Sequence, residues 1–141
     1  MDFDVAVIGG GSAGYASAST AQALGARVAI IDPGPLGGLC ILRGCMPTKT
    51  ILRSSDIMAL MRRAEEFGLQ PVDPHARLSA INDRKNKLIQ EFTDYRIQQL
   101  QDSRFTLIQE RAEFISPHEI RIGDQTLKAK SFILATGSVI A

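Results

Sequence analysis

The chain carries almost no charge excess. Across 141 residues, 16 Lys and Arg face 15 Asp and Glu, a formal net charge of +1, with no run of basic residues. A nucleic-acid backbone would gain little electrostatic attraction from such a surface, so nucleic acid is not an expected partner. Long apolar runs are missing too. Stretches such as Val5–Ile8 and Val28–Ile31 fall far short of the roughly 18 to 20 residues that span a bilayer, so no membrane partner is expected. The start, Met1-Asp2-Phe3-Asp4, lacks the basic and then apolar character of a secretory signal, and a cytoplasmic location is expected. Histidine is scarce: His75 and His118 both lie in proline-containing, turn-like sequence, and neither is spaced as half of a zinc ligand set. No metal is expected. Cysteine is equally scarce, with Cys40 and Cys45 alone, and in a reducing compartment a lone pair is more often catalytic or metal-binding than a structural staple.

A hydrophobic fraction of 45% is enough for one globular domain with an ordinary core. Asp4-Val5-Ala6-Val7-Ile8 is an apolar, β-branched run that reads as a buried parallel strand. It leads into Gly9-Gly10-Gly11-Ser12-Ala13-Gly14, followed by an alanine-rich helical stretch to Leu24 with Gly25 as its C-cap. Gly9, Gly11 and Gly14 stand at the GxGxxG positions of a dinucleotide-binding turn. The first permits the tight turn, the second lets backbone approach a pyrophosphate, and the third packs helix on sheet. The helix start then offers free N–H groups and the positive end of its dipole to phosphate. A second strand, Arg27–Ile31, ends at Asp32, 18 residues after Gly14, where a carboxylate would accept ribose hydroxyls. This fingerprint serves FAD and NAD alike.

Pro33 to Gly38 is too rich in proline and glycine for regular structure and reads as a loop returning the cysteines toward the nucleotide. From Met46 a helical pattern runs to about Phe67 before Gly68, with Pro47 in the first turn. Cys45 thus lies at or just before a helix N-terminus, a position that favours the thiolate. Lys49 and Arg43 are the nearby cations, and Arg43 reads equally well as a solvated loop residue. A metal site, two structural thiols and a reversible dithiol are the alternatives for the pair.

The motif Gly37-Gly38-x-Cys40-x-x-x-x-Cys45-x-Pro47-x-Lys49 behind the Gly9–Gly14 fingerprint resembles the class I pyridine nucleotide-disulfide oxidoreductases, the family of dihydrolipoamide dehydrogenase, glutathione reductase and mercuric reductase. Ser131 to Ser138, closing in Ala135-Thr136-Gly137, resembles the family strand that ends against FAD. The resemblance implies an α/β, Rossmann-like FAD-binding fold with a parallel sheet and flanking helices. It implies that Gly9, Gly11, Ser12, Ala13, Gly14 and Asp32 hold the ADP half of FAD, and that Gly38, Leu39 and Cys40 line its pyrophosphate and flavin. Lys49 would lie at the reactive edge of the flavin, and Ala135, Thr136 and Gly137 would touch the cofactor. Cys45 would be the flavin-side thiol and Cys40 the interchange thiol, a redox-active disulfide passing electrons between NAD(P)H, FAD and a disulfide or dithiol substrate. Asp32 replaces the more usual glutamate, Leu39 a common threonine, and Ile41-Leu42-Arg43 the more usual Leu/Val-Asn-Val.

The rest reads as scaffold. Asp73 or Pro74 to about Gln101 forms a long amphipathic helix, which in the family often contributes to the subunit interface of a homodimer. Phe105–Glu110, Ala112–Ile115 and Glu119–Ile122 read as a small antiparallel meander. Residues 1–141 are expected to form the N-terminal part of an FAD-binding domain, without the NAD(P)-binding and C-terminal interface domains of a full enzyme. Such a segment is expected not to turn over with NAD(P)H by itself. Two readings from other classes stand beside it: a non-catalytic FAD- or nucleotide-binding module or redox sensor, and an NAD-binding dehydrogenase domain.

Overall fold

The computed structural model describes residues 1–139. β1 (Phe3–Ile8), α1 (Ser12–Ala23) and β2 (Val28–Ile31) form the first βαβ unit, and α2 (Gly38–Arg43) and α3 (Cys45–Arg62) follow. Then come α4 (Leu78–Leu100), β3 (Thr106–Ile108), β4 (Ala112–Ser116), β5 (Glu119–Ile122) and β6 (Gln125–Leu134). The six strands form one sheet in the order β3-β2-β1-β6-β5-β4. β1 pairs in parallel with β2 on one side and β6 on the other, with Ile8 opposite Ile31 and Leu134.

Strand alternation divides the core between the two faces of this sheet. Val7, Val28 and Ile30 turn to one face and pack with Ala18 of α1, Leu100 of α4 and Phe105. Ala6, Ala29 and Ile31 turn to the other, where Ile120, Ile122 and Leu127 of the antiparallel part cover them. All four residues of β2 are buried, as expected of a strand covered on both faces.

Four sequence expectations are corrected. The run at Phe105–Glu110 does not join the meander, because β3 pairs in parallel with β2, Ile31 opposite Ile108, and forms the far edge of the sheet. The meander is β4-β5-β6 instead. β6 serves both parts: Gln125–Lys128 pair antiparallel with β5, and Ala129 and Ser131–Leu134 pair parallel with β1. Second, α4 starts at Leu78 rather than at Asp73 or Pro74. Pro71 and Pro74 bias their predecessors toward extended backbone, and the Asp73 carboxylate accepts from Arg62 Nε at 3.0 Å instead of capping a helix. Third, α3 ends at Arg62, and Ala64–Phe67 tighten into a 3₁₀ turn before Gly68, whose φ of +72° stops it as expected. Fourth, the cysteine segment is not simply a loop, since residues 38–43 form the short helix α2 with Ile41 buried beneath it.

Candidate functional site

The site lies beyond the C-terminal ends of β1, β2 and β6, where ligands of open parallel sheets bind. β1 leaves the sheet through Gly9, whose φ is +108° and whose missing side chain makes room for the Ala135 carbonyl. Gly14 lies hard against the Gly9 carbonyl, where any Cβ would overlap it, so α1 packs directly on the turn. α1 is capped by Gly11 without a side-chain hydrogen bond, and its first turn carries no acid. The N–H groups of Ser12, Ala13 and Gly14 have no intrahelical partner in such a turn, and they bring the positive end of the dipole with them. Ser12 and Ala13 are exposed.

Asp32, at the end of β2, fixes the loops on either side. Its Oδ2 accepts from Gly10 N–H at 2.6 Å and its Oδ1 from Gly34 N–H at 2.8 Å. A carboxylate has about four lone-pair sites, so each oxygen keeps capacity for a hydroxyl. Leu100 of α4 supports the same turn from behind, 3.2 Å from where a Gly10 Cβ would sit.

Gly38 brings the cysteine segment to this turn. It has φ +75°, and a Cβ there would sit 2.6 Å from the Gly11 Cα. The two backbones therefore meet where neither residue has a side chain. α2 carries Cys40, and α3 begins at Cys45 after the single residue Gly44. A Cβ on Gly44 would lie 3.0 Å from the Leu39 carbonyl oxygen and 3.2 Å from the Cys40 Cα, so glycine here lets α3 fold back on α2 and join the two thiols. Both cysteines are free, Cys45 exposed and Cys40 half-buried.

The thiols are unequal. The neighbouring Cys40 thiol holds the Cys45 thiol below the ordinary range, and the Lys49 ammonium one turn along reinforces the shift. The nearby Cys45, with partial burial, pushes the Cys40 thiol up. Cys45 is thus the more readily ionised thiol of the pair and Cys40 the less, an asymmetry suited to disulfide exchange.

The structure brings the sequence-predicted residues together in one place. Gly9, Gly11, Ser12, Ala13, Gly14 and Asp32 form the turn, and Gly38, Leu39, Cys40 and Cys45 lie against it. Lys49 follows one turn into α3. Ala135 joins from β6, donating from its N–H to the Ile8 carbonyl at 2.8 Å, and Thr136 and Gly137 continue, exposed, along the same edge. Arg43 is not a loop residue but the last residue of α2, and it is exposed. Sequence reasoning missed Gly10 as the donor to Asp32, Gly44 as the contact that joins the helices, and Arg84. From α4, Arg84 Nη1 donates to the Thr50 carbonyl at 3.0 Å and so ties down α3 just past its dithiol end. Gly44 was legible as a glycine between two cysteines, whereas nothing local marks Arg84.

The cradle fits a dinucleotide cofactor: unpartnered N–H groups for a pyrophosphate, a carboxylate with spare acceptors for a ribose, and two facing glycines that let backbone come close. Among the described residues no three His, Cys, Asp or Glu converge as a metal site, and no helix is long and apolar enough to cross a membrane.

Comparison with known proteins agrees with this geometry. The chain is 34% identical over 138 residues to a mercuric reductase of Staphylococcus aureus, an alignment that covers 97% of this chain and 25% of that protein. It is 36% identical over 139 residues to a dihydrolipoyl dehydrogenase of Chlamydia muridarum, covering 96% of this chain and 30% of that one. Among solved structures, the flavoprotein disulfide reductase RclA of Escherichia coli, in a Cu(II) complex, matches with a TM-score of 0.75 and 27% identity over 97% of this chain and 29% of that chain. The chain therefore spans between a quarter and a third of the length of these relatives. The family implies FAD and NAD(P)H as cofactors. Residues 3–140 match the profile of the pyridine nucleotide-disulphide oxidoreductases, and with the glycine turn, the dithiol and the Ala-Thr-Gly edge meeting at one end of the sheet, the chain belongs to that family.

Proposed function

We propose that this chain supplies the FAD cradle and the redox-active dithiol of an oxidoreductase that moves electrons between NAD(P)H and a disulfide or dithiol substrate. One observation carries the reading: the Gly38–Gly11 contact seats the Cys40–Cys45 segment directly on the nucleotide turn. The N–H groups at the head of α1 and the Asp32 carboxylate would hold the ADP half of FAD, with Gly38, Leu39, Ala135, Thr136 and Gly137 along its length. Bound there, FAD would supply two-electron redox chemistry beside the cysteines. The chain's own residues do the rest. Cys40 and Lys49 lower the pKa of the Cys45 thiol, the flavin-side thiol in this assignment. Cys40, whose thiol retains its proton longer, is the interchange thiol that forms and releases the mixed disulfide with substrate. A homodimer, with α4 near the subunit contact, belongs to the same proposal.

The test is anaerobic reduction of the FAD-loaded chain. A long-wavelength thiolate-to-flavin absorbance band is expected when two electrons reduce the Cys40–Cys45 disulfide; Cys45→Ser should abolish it, while Cys40→Ser, which has no disulfide to reduce, should show it already with oxidised FAD. Tight FAD binding with no such band in the unsubstituted chain would refute the redox reading and leave a non-catalytic flavin-binding module.

A further inference from the structure

Between Pro33 and Ser55 the chain carries three cations, Arg43, Lys49 and Arg53, and no Asp or Glu. The net charge of the whole chain is only +1, so the positive excess is local to the dithiol. Helical spacing arranges it. Cys40 and Arg43 are three apart on α2, and Cys45, Lys49 and Arg53 follow one another at intervals of four on α3, spacings that place side chains on a common face. Arg43, Cys45, Lys49 and Arg53 are all exposed. Among the described residues, none of these three cations forms an ion pair, while Arg27, Arg62, Arg63, Arg104 and Arg121 are each paired with a carboxylate. The stripe thus presents unneutralised positive charge on both sides of the thiols. Lys49 already has a role toward Cys45, which leaves Arg43 and Arg53 without one.

We propose that the dithiol takes an anionic disulfide, one with carboxylates close to its sulfur–sulfur bond, and that Arg43 and Arg53 select it. This rests on the redox reading of Cys40 and Cys45. In the exchange, a thiolate of the pair attacks one sulfur of the substrate. A mixed disulfide forms, the substrate S–S bond breaks, and one thiolate leaves to take up a proton. The second cysteine, once deprotonated, attacks the mixed disulfide, closes Cys40–Cys45 and expels the second thiol. The dithiol loses two electrons and the substrate gains them. Each expelled anionic thiolate adds negative charge near the stripe, so Arg43 and Arg53 favour both the approach and the departure of the leaving group.

The experiment compares two probes on the reduced chain at low ionic strength: dithiobis-nitrobenzoate, a dicarboxylate disulfide, and dithiodipyridine, a neutral one. The quantity read is the ratio of their second-order rate constants, in which any change of thiol basicity largely cancels. In Arg43→Ala/Arg53→Ala the anionic-to-neutral ratio should fall by about tenfold, the lower end of electrostatic steering. Arg43→Lys/Arg53→Lys should restore it, and added salt should lower it in the unsubstituted chain. An unchanged ratio in Arg43→Glu/Arg53→Glu would overturn the selection while leaving the dithiol chemistry intact. If neither probe yields a Cys40–Cys45 disulfide by mass, the redox reading fails and the selection with it.

Discussion

Replacing Gly38 by alanine should damage the protein at the point where its two functional segments meet. A Cβ at this position would sit 2.6 Å from the Gly11 Cα, backbone against backbone, and the residue has φ +75°. The left-handed conformation alone costs an alanine roughly 1–2 kcal/mol. Forcing a methyl into an occupied space adds about 1–3 kcal/mol, because both flanking segments are fixed, Gly11 as the cap of α1 and Gly38 as the first residue of α2. The sum is about 2–5 kcal/mol. Gly68 provides the matched control, with φ +72° and nothing within 4 Å of its would-be Cβ. Gly68→Ala should therefore show the conformational cost alone, about 1–2 kcal/mol. Urea unfolding followed by circular dichroism gives both values from midpoint and slope. The difference between the two variants isolates the close approach. If Gly38→Ala costs no more than Gly68→Ala, the Gly11–Gly38 contact does not hold the dithiol on the glycine turn, and the proposed site is refuted.

Other outcomes follow from the same structure. The Cys45 thiol lies below the ordinary range because Cys40 and Lys49 stand beside it, so its alkylation by iodoacetamide should reach half-maximal rate below the pH of a free cysteine, near 8.5. Cys40→Ala should move that midpoint upward, and an unmoved midpoint would remove Cys40 as the cause. Asp4 joins the starts of β1 and β2 by accepting from Arg27 N–H at 2.9 Å, and pairs with Lys130 of β6 at 2.7 Å. Lys130 and Arg27 lower its pKa to about 2. With the folded value below the unfolded one, near 3.9, its stabilisation is present above that unfolded value and is lost as the pH falls toward about 2. Asp4→Asn should thus be less stable than the unsubstituted chain at neutral pH, with the gap closing in acid, and a gap constant with pH would refute the assignment. Ile30, fully buried in β2, should cost about 2–5 kcal/mol on substitution by alanine, read from chemical unfolding, whereas a loss under 1 kcal/mol would mean that β2 is not a central strand.

How much of this was legible in the chain depends on how far apart the interacting residues lie. The β1–glycine turn–α1 unit, the helix head at Cys45, the stop at Gly68 and the acid at Asp32 are written in short windows, since each rests on residues a few positions apart acting through local sterics, capping and dipole. The dithiol spacing belongs to the same class. The six-residue helix α2 was not legible, because a segment so short is not stable by propensity alone and depends on burying Ile41. The start of α4 was obscured because a distant Arg62 engages Asp73. The edge position of β3 was equally hidden: an alternating run pairs with any compatible strand, and parallel pairing with β2 links residues more than 70 positions apart, such as Ile31 and Ile108. The sequence by itself thus determined the components of the candidate site: a glycine turn, an acid at the end of β2 and two cysteines of unequal setting. Only the tertiary structure decided that they share one end of the sheet, because the contacts that join them, Gly11 with Gly38, Gly9 with Ala135 and Gly44 with Cys40, depend on the absence of side chains, and a missing side chain does not name the backbone that will come to rest against it.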